Sequence, residues 1–116
     1  KRMQETVDGL ARMHDTKIDF EYLYGVPCTF NHDQQTASAV AAARDVAGSN
    51  GVDTEVLPTM AGEDFALMLE ERPGAMIFIG NGDSAGLHHP AYDFNDGAIP
   101  AGVSYWSRLI ETRLPA

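Results

Sequence analysis

The sequence predicts an α/β layered domain entered from the end of a smaller α+β layer, and three observations support this. From residue 33 onward the elements alternate as helix, strand, helix, strand, long loop, helix, the order expected when helices pack on a sheet. One candidate strand, "AMIFIG" (Ala75–Gly80), is apolar throughout, as befits a strand covered on both faces. Ahead of it, a helix and one half-wet strand stand alone in residues 1–26, too little to bury themselves. The chain therefore divides into residues 1–26 and 27–116, at the break "GVPCTFNHD" (Gly25–Asp33), where Pro27 fixes φ and Gly25 permits a turn.

Residues 3–13 place Met3, Val7, Leu10 and Ala11 at helical spacing, with Gly9 weakening the interior. "KIDFEYLY" (Lys17–Tyr24) alternates, with Ile18, Phe20, Tyr22 and Tyr24 on one side, and reads as a half-buried strand whose aromatic side is core. The alanine-rich stretch Gln34–Ala47 is a helix, with Asn31 or Asp33 as its cap and Gly48 just past its end. Thr54–Pro58 is a short strand candidate. "AGEDFALMLEER" (Ala61–Arg72) reads as a helix with Glu63 and Asp64 in its first turn, ended by Pro73-Gly74. Ile99–Leu114 is a final helix with Pro100 near its start and Val103, Trp106, Ile110 and Leu114 along one stripe.

A chain of 116 residues is one ordinary domain or a piece of a larger one. At 44% hydrophobic it is globular in composition, and no stretch approaches the apolar length of a membrane span. Eight basic against 17 acidic side chains give a net charge of −9, which argues against nucleic acid and anionic membranes as partners. The single cysteine, Cys28, cannot form an internal disulfide. It fits a reducing, cytoplasmic location and reads as a small buried filler beside Pro27. Lys1 opens directly into a helical pattern without an initiator methionine, so the expectation is a processed or truncated product.

Chemistry concentrates in the loop from Asn81 to Asp96, which contains "LHHPAYDFND" (Leu87–Asp96). It leaves the C-terminal end of a buried strand, where open α/β sheets place their ligands. His88, His89, Asp93, Asn95 and Asp96 make acid–base or metal work feasible there. The competing view is a polar connection stitched by Asn and Asp turn bonds. In extended chain, neighbouring side chains point to opposite faces, so only one of the two histidines faces a site. A catalytic metal takes about three protein ligands, so the loop holds at most part of a metal centre. Just upstream, Gly82-Asp83-Ser84-Ala85-Gly86 satisfies G-x-S-x-G, but a nucleophile elbow needs a helix immediately after the serine, and none is patterned here. Glu63, near a helix start, either complements the helix dipole or borders a cleft. His14 and His32 are isolated and read as surface or turn residues.

Three stretches, "GVPCTFN", "AGEDFALMLEERPGAMIFIGNG" and "LHHPAYDFNDGAIPAGVSYW", in this order and spacing, resemble the C-terminal third of hippurate hydrolase-type amidohydrolases. These belong with the aminoacylases, carboxypeptidase G and the plant indole-acetyl-amino-acid hydrolases. The resemblance implies a zinc-peptidase-like three-layer α/β catalytic domain, continued here from residue 27, after the end of an α+β satellite domain that mediates dimerisation. It also implies two divalent metal ions (zinc, manganese, cobalt or nickel) and metal-activated water attacking the amide bond of a small N-acyl amino acid or short peptide. By position, His88 would be a metal ligand and His89 a loop residue. Asn31 and Glu63 would lie near the substrate. Ala61-Gly62 stands where the family often has Gly-Ser, which weakens polar contacts from that turn. The remaining ligands, the general-base glutamate and a substrate-gripping arginine belong to upstream sequence in the family, and Cys28 does not match the cysteine ligand's motif. The expectation is therefore an amidohydrolase segment that is inactive alone; Lys17–Tyr24, an edge strand with an apolar face exposed without its satellite partners, adds the expectation that it self-associates. The alternatives are a non-catalytic α/β module or, as the lesser one, a serine hydrolase using Ser84.

Overall fold

The computed structural model describes residues 1–114. Four α-helices follow in chain order: α1 (Arg2–Met13), α2 (Asp33–Ala47), α3 (Phe65–Glu71) and α4 (Ile99–Arg113), with 3-10 turns at Ser49–Gly51 and Asp96–Ala98. The helices lie where the 3.6-residue periodicity puts them. α2 begins one residue earlier than expected, and its N-cap is His32, rather than Asn31 or Asp33. It ends at Gly48, whose φ of 72° is easy only for glycine. α3 is shorter than the stretch read as helix from Ala61. Glu63 and Asp64 precede its first turn instead of occupying it, and Glu63 Oε1 accepts a hydrogen bond from Phe65 N at 3.1 Å.

The core lies between α2 and α4. Ala39, Ala42 and Tyr105 are buried there, with Ala43, Ala75, Ile77 and Leu109 packed around them. Alanines at the contact let the helices approach closely enough for one tyrosine ring to fill the space. Outside the core, Arg108 joins the helices: its Nε and Nη2 both lie 2.8 Å from Asp45 Oδ2. A second link runs from Arg113 Nη1 to Ser38 Oγ at 3.2 Å. Asp45 raises the Arg108 pKa above its ordinary value, chiefly through this hydrogen bond and then through its charge.

The stripe on α4 is not the buried one. Val103, Trp106, Ile110 and Leu114 are 56–75% exposed, while the neighbouring face carrying Tyr105 and Leu109 turns inward. The sequence pattern marks two apolar faces on this helix, and α2 covers one of them.

Among the described residues no strand ladder forms, so Lys17–Tyr24, Thr54–Pro58 and Ala75–Gly80 are not strands here, and these residues do not show the expected three-layer arrangement. The physical reason is pairing, since a strand exists only through a neighbour that takes its backbone hydrogen bonds. Ala75–Gly80 still alternates: Ala75 and Ile77 pack on the core, Ile79 Cδ1 approaches α4 near Gly102, and Phe78 is 67% exposed. It is therefore covered on one face, not two. The aromatic side of Lys17–Tyr24 is likewise open, with Tyr22 and Tyr24 exposed and their rings edge to face at 4.9 Å. Cys28 is exposed as well, which corrects its reading as a buried filler.

The overall dimensions agree with this incomplete burial. The radius of gyration is 20.8 Å, against about 13 Å for a compact domain of this length. The accessible surface is 9859 Å², roughly one and a half times that of a compact monomer of this mass.

Candidate functional site

The apolar run Ala75–Gly80 delivers the chain into a loop closed by one side chain. Asn81 Nδ2 donates to the backbone oxygen of Asp93 and to Ser84 Oγ, both at 2.8 Å, while its Oδ1 accepts from Asn95 N at 2.8 Å. The carboxamide thus takes one carbonyl and one N–H two residues apart, the pairing a peptide group would make in a parallel β-bridge. Gly82 sits beside it at φ 79°, and a Cβ there would approach Asn95 Nδ2 to 3.2 Å. Asn95 in turn accepts from Gly97 N at 2.9 Å and starts the 3-10 turn that leads into α4. An open cleft of about 450 Å³ lies over this loop, lined by Asn81, Asp83, Ser84, Asp93, Asn95 and Asp96 among others.

The two histidines separate in conformation. His88 has φ 66°, one of only two non-glycine residues at positive φ among the described residues, in the left-handed region that histidine enters more readily than most side chains. It is exposed, and no hydrogen bond holds its imidazole among those residues. His89 is engaged locally, its Nδ1 accepting from Ala91 N at 3.1 Å and its carbonyl from Tyr92 N at 2.9 Å. One ring shapes the turn and the other is left available. The acids of the loop form no ion pair among the described residues.

Asn31 and His32 act on the other end of the apolar run. The Asn31 amide donates to Met76 O and accepts from Met76 N, both at 2.8 Å. His32 N donates to Gly74 O at 3.0 Å, and His32 Nδ1 accepts from Gly74 N at 3.2 Å. Two adjacent residues thereby supply Gly74 and Met76 with the partners that a neighbouring strand would otherwise provide. Sequence reasoning missed this role for His32. The available signal was a break segment rich in Asn and His facing an unpartnered apolar run. Glu63 stands apart, engaged with the start of α3. Asn31, Glu63 and His88 share no hydrogen bond, and none of them lines the loop cleft.

Ser84 does not meet the requirements of an elbow. Its Oγ accepts from Asn81 and faces the carbonyl of Ala85 at 3.2 Å, and the chain after it stays irregular until the turn at Asp96. For a metal, the donor set is short: among the described residues no three His, Cys, Asp or Glu side chains converge on a point that could hold one. The residues present do not make a metal centre by themselves, since such a centre takes about three protein ligands. No helix among them is long and apolar enough to cross a membrane.

Residues 4–112 match the pattern of Peptidase family M20/M25/M40. The chain is similar to the hippurate hydrolase of Campylobacter jejuni, at 28% identity over 109 residues, covering 94% of this chain and 28% of that protein. It is similar to the putative amidohydrolase YhaA of Bacillus subtilis, at 32% identity over 105 residues, covering 85% of this chain and 26% of the relative. It is also similar to the N-acetyldiaminopimelate deacetylase of Streptococcus gordonii, at 26% identity over 116 residues, covering 98% of this chain and 30% of the relative. The chain thus spans less than a third of the length of these curated relatives. No solved structure gives a significant match.

Proposed function

The chain belongs to Peptidase family M20/M25/M40, and on that premise we propose that it is the C-terminal segment of a metal-dependent amidohydrolase acting on small N-acyl amino acids. The observation that carries the proposal is His88, an unengaged imidazole held at positive φ on a closed loop, within the stretch matched to the family. In this reading His88 is one ligand of a centre of two divalent metal ions, and the other donors come from outside these residues. Asn31 and Glu63 approach the substrate from the domain junction and from the start of α3. The names of the relatives, hippurate hydrolase and N-acetyldiaminopimelate deacetylase, support an N-acyl amino acid as the substrate class.

Residues 27–116 then belong to the three-layer α/β catalytic domain, whose sheet takes Ala75–Gly80 as a strand once its neighbours are present. Residues 1–26 end the satellite domain through which copies associate, in the cytoplasm. No residue of 1–26 is buried, as this reading expects of a piece whose packing partners lie elsewhere.

The test is hydrolysis of hippurate and N-acetyl amino acids by the product of the complete reading frame encoding these residues. Turnover that a chelator abolishes and a divalent metal restores is expected, together with none from the 116-residue chain alone. Chelator-sensitive turnover by the short chain would contradict the division of labour. Chelator-insensitive turnover by the complete product would contradict the chemistry.

A further inference from the structure

We propose that Asn81 is the positioning residue of His88: by standing in for a strand, its carboxamide closes the loop that holds His88 at positive φ with its ring free. This rests on the preceding reading only in taking His88 as the working side chain of the loop. The bond pattern carries it. Every other hydrogen bond within residues 81–96, among the described residues, spans three positions or fewer: Asn81 Nδ2 to Ser84 Oγ, Ser84 N to Gly82 O, Ser84 Oγ to Ala85 O, His89 N to Gly86 O, Tyr92 N to His89 O, Ala91 N to His89 Nδ1. Such bonds shape turns but fix nothing across the loop. Asn81 alone reaches across it, twelve positions to Asp93 and fourteen to Asn95.

Two further facts single out this amide. Gly82 leaves space beside Asn95 that a side chain would crowd, so the strand-like approach depends on a glycine following the asparagine. The tether also continues through Asn95 to Gly97 N, which links the loop to the entry of α4 and hence to the core at Tyr105. A left-handed histidine stores backbone strain that a slack loop would release. Closure at Asn81 is what keeps the strain, and with it the direction of the ring.

The experiment compares the wild-type chain with Asn81→Ala, Asn81→Asp and Ser84→Ala by NMR, reading amide exchange at Asn95 and the Cα and Cβ shifts of His88, which report its φ. In Asn81→Ala, Asn95 exchange is expected to accelerate about tenfold or more, with His88 shifts moving toward the negative-φ range. Asn81→Asp keeps the acceptor for Asn95 but loses the donor to Asp93, so partial movement at His88 is expected. Ser84→Ala leaves both cross-loop bonds and should change neither signal. Wild-type His88 shifts in both Asn81 variants would overturn the proposal, and the Asp variant decides alone if the Ala variant loses its helices. In the complete reading-frame product, His88→Ala tests the functional reading separately. Unchanged hydrolysis there would remove the role of His88, whereas loss in His88→Ala with none in Asn81→Ala would remove only that of Asn81.

Discussion

The side-chain amide of Asn31 exchanges two hydrogen bonds with the backbone of Met76, each 2.8 Å long, so an asparagine does for one residue what a strand does for many. Replacing it with alanine leaves a part-buried N–H and carbonyl without partners. The expected cost for Asn31→Ala is roughly 1–3 kcal/mol. It would be read as a lower denaturant midpoint at unchanged slope for the α2/α4 core.

Tyr105 gives the core a sign in alkali. Burial raises its pKa above the ordinary 10.0, so the fold favours the neutral phenol. Its contribution is complete below the unfolded value and fades as pH climbs from there through the higher folded value. Stability is therefore expected to fall above about pH 10, and less so in Tyr105→Phe. Equal alkaline sensitivity in the two proteins would contradict the assignment. Tyr105→Ala is expected to cost about 3–5 kcal/mol, as for other large aromatic truncations.

Both the helices and the candidate loop were legible in the sequence, for different reasons. The helices satisfy their own backbone bonds, so periodicity sufficed for α1, α2 and α4 within a residue or so. The strand readings were not met: Lys17–Tyr24, Thr54–Pro58 and Ala75–Gly80 carry strand-like patterns but no ladder among the described residues, and a pattern does not say whether a pairing neighbour is present. Which face of α4 turns inward was not legible: its Val103–Trp106–Ile110 stripe and its Tyr105 face are both apolar, and composition does not say which one α2 covers. The split of His88 from His89 was expected from alternation in extended chain, but residue 88 lies in a left-handed turn, so the two rings differ through that turn, which the sequence pattern did not reveal.

His88 is also where local stability and function are expected to part. Glycine takes φ 66° without the strain that a Cβ imposes. His88→Gly should therefore keep or slightly raise stability, by up to about 1 kcal/mol, while hydrolysis by the complete product falls. Thermal midpoint and turnover measured on the same variant would show it. A clear loss of both would mean that the imbalance is not there.

Association is expected from the open aromatic side at Tyr22 and Tyr24 together with the exposed stripe of α4, since exposed apolar surface of this kind favours a partner. Sedimentation of the isolated chain should show species larger than a monomer as concentration rises. A monomer throughout would contradict this.

The most direct test is metal content and turnover of the complete reading-frame product, compared with His88→Ala and His89→Asn. Asparagine at 89 can still accept the Ala91 N–H that His89 Nδ1 accepts now, so that variant preserves the turn. The account predicts about two metal ions in the wild type, loss of metal with at least a hundredfold (~10²) drop in turnover for His88→Ala, and near-wild-type values for His89→Asn. Full metal content and turnover in His88→Ala would contradict it.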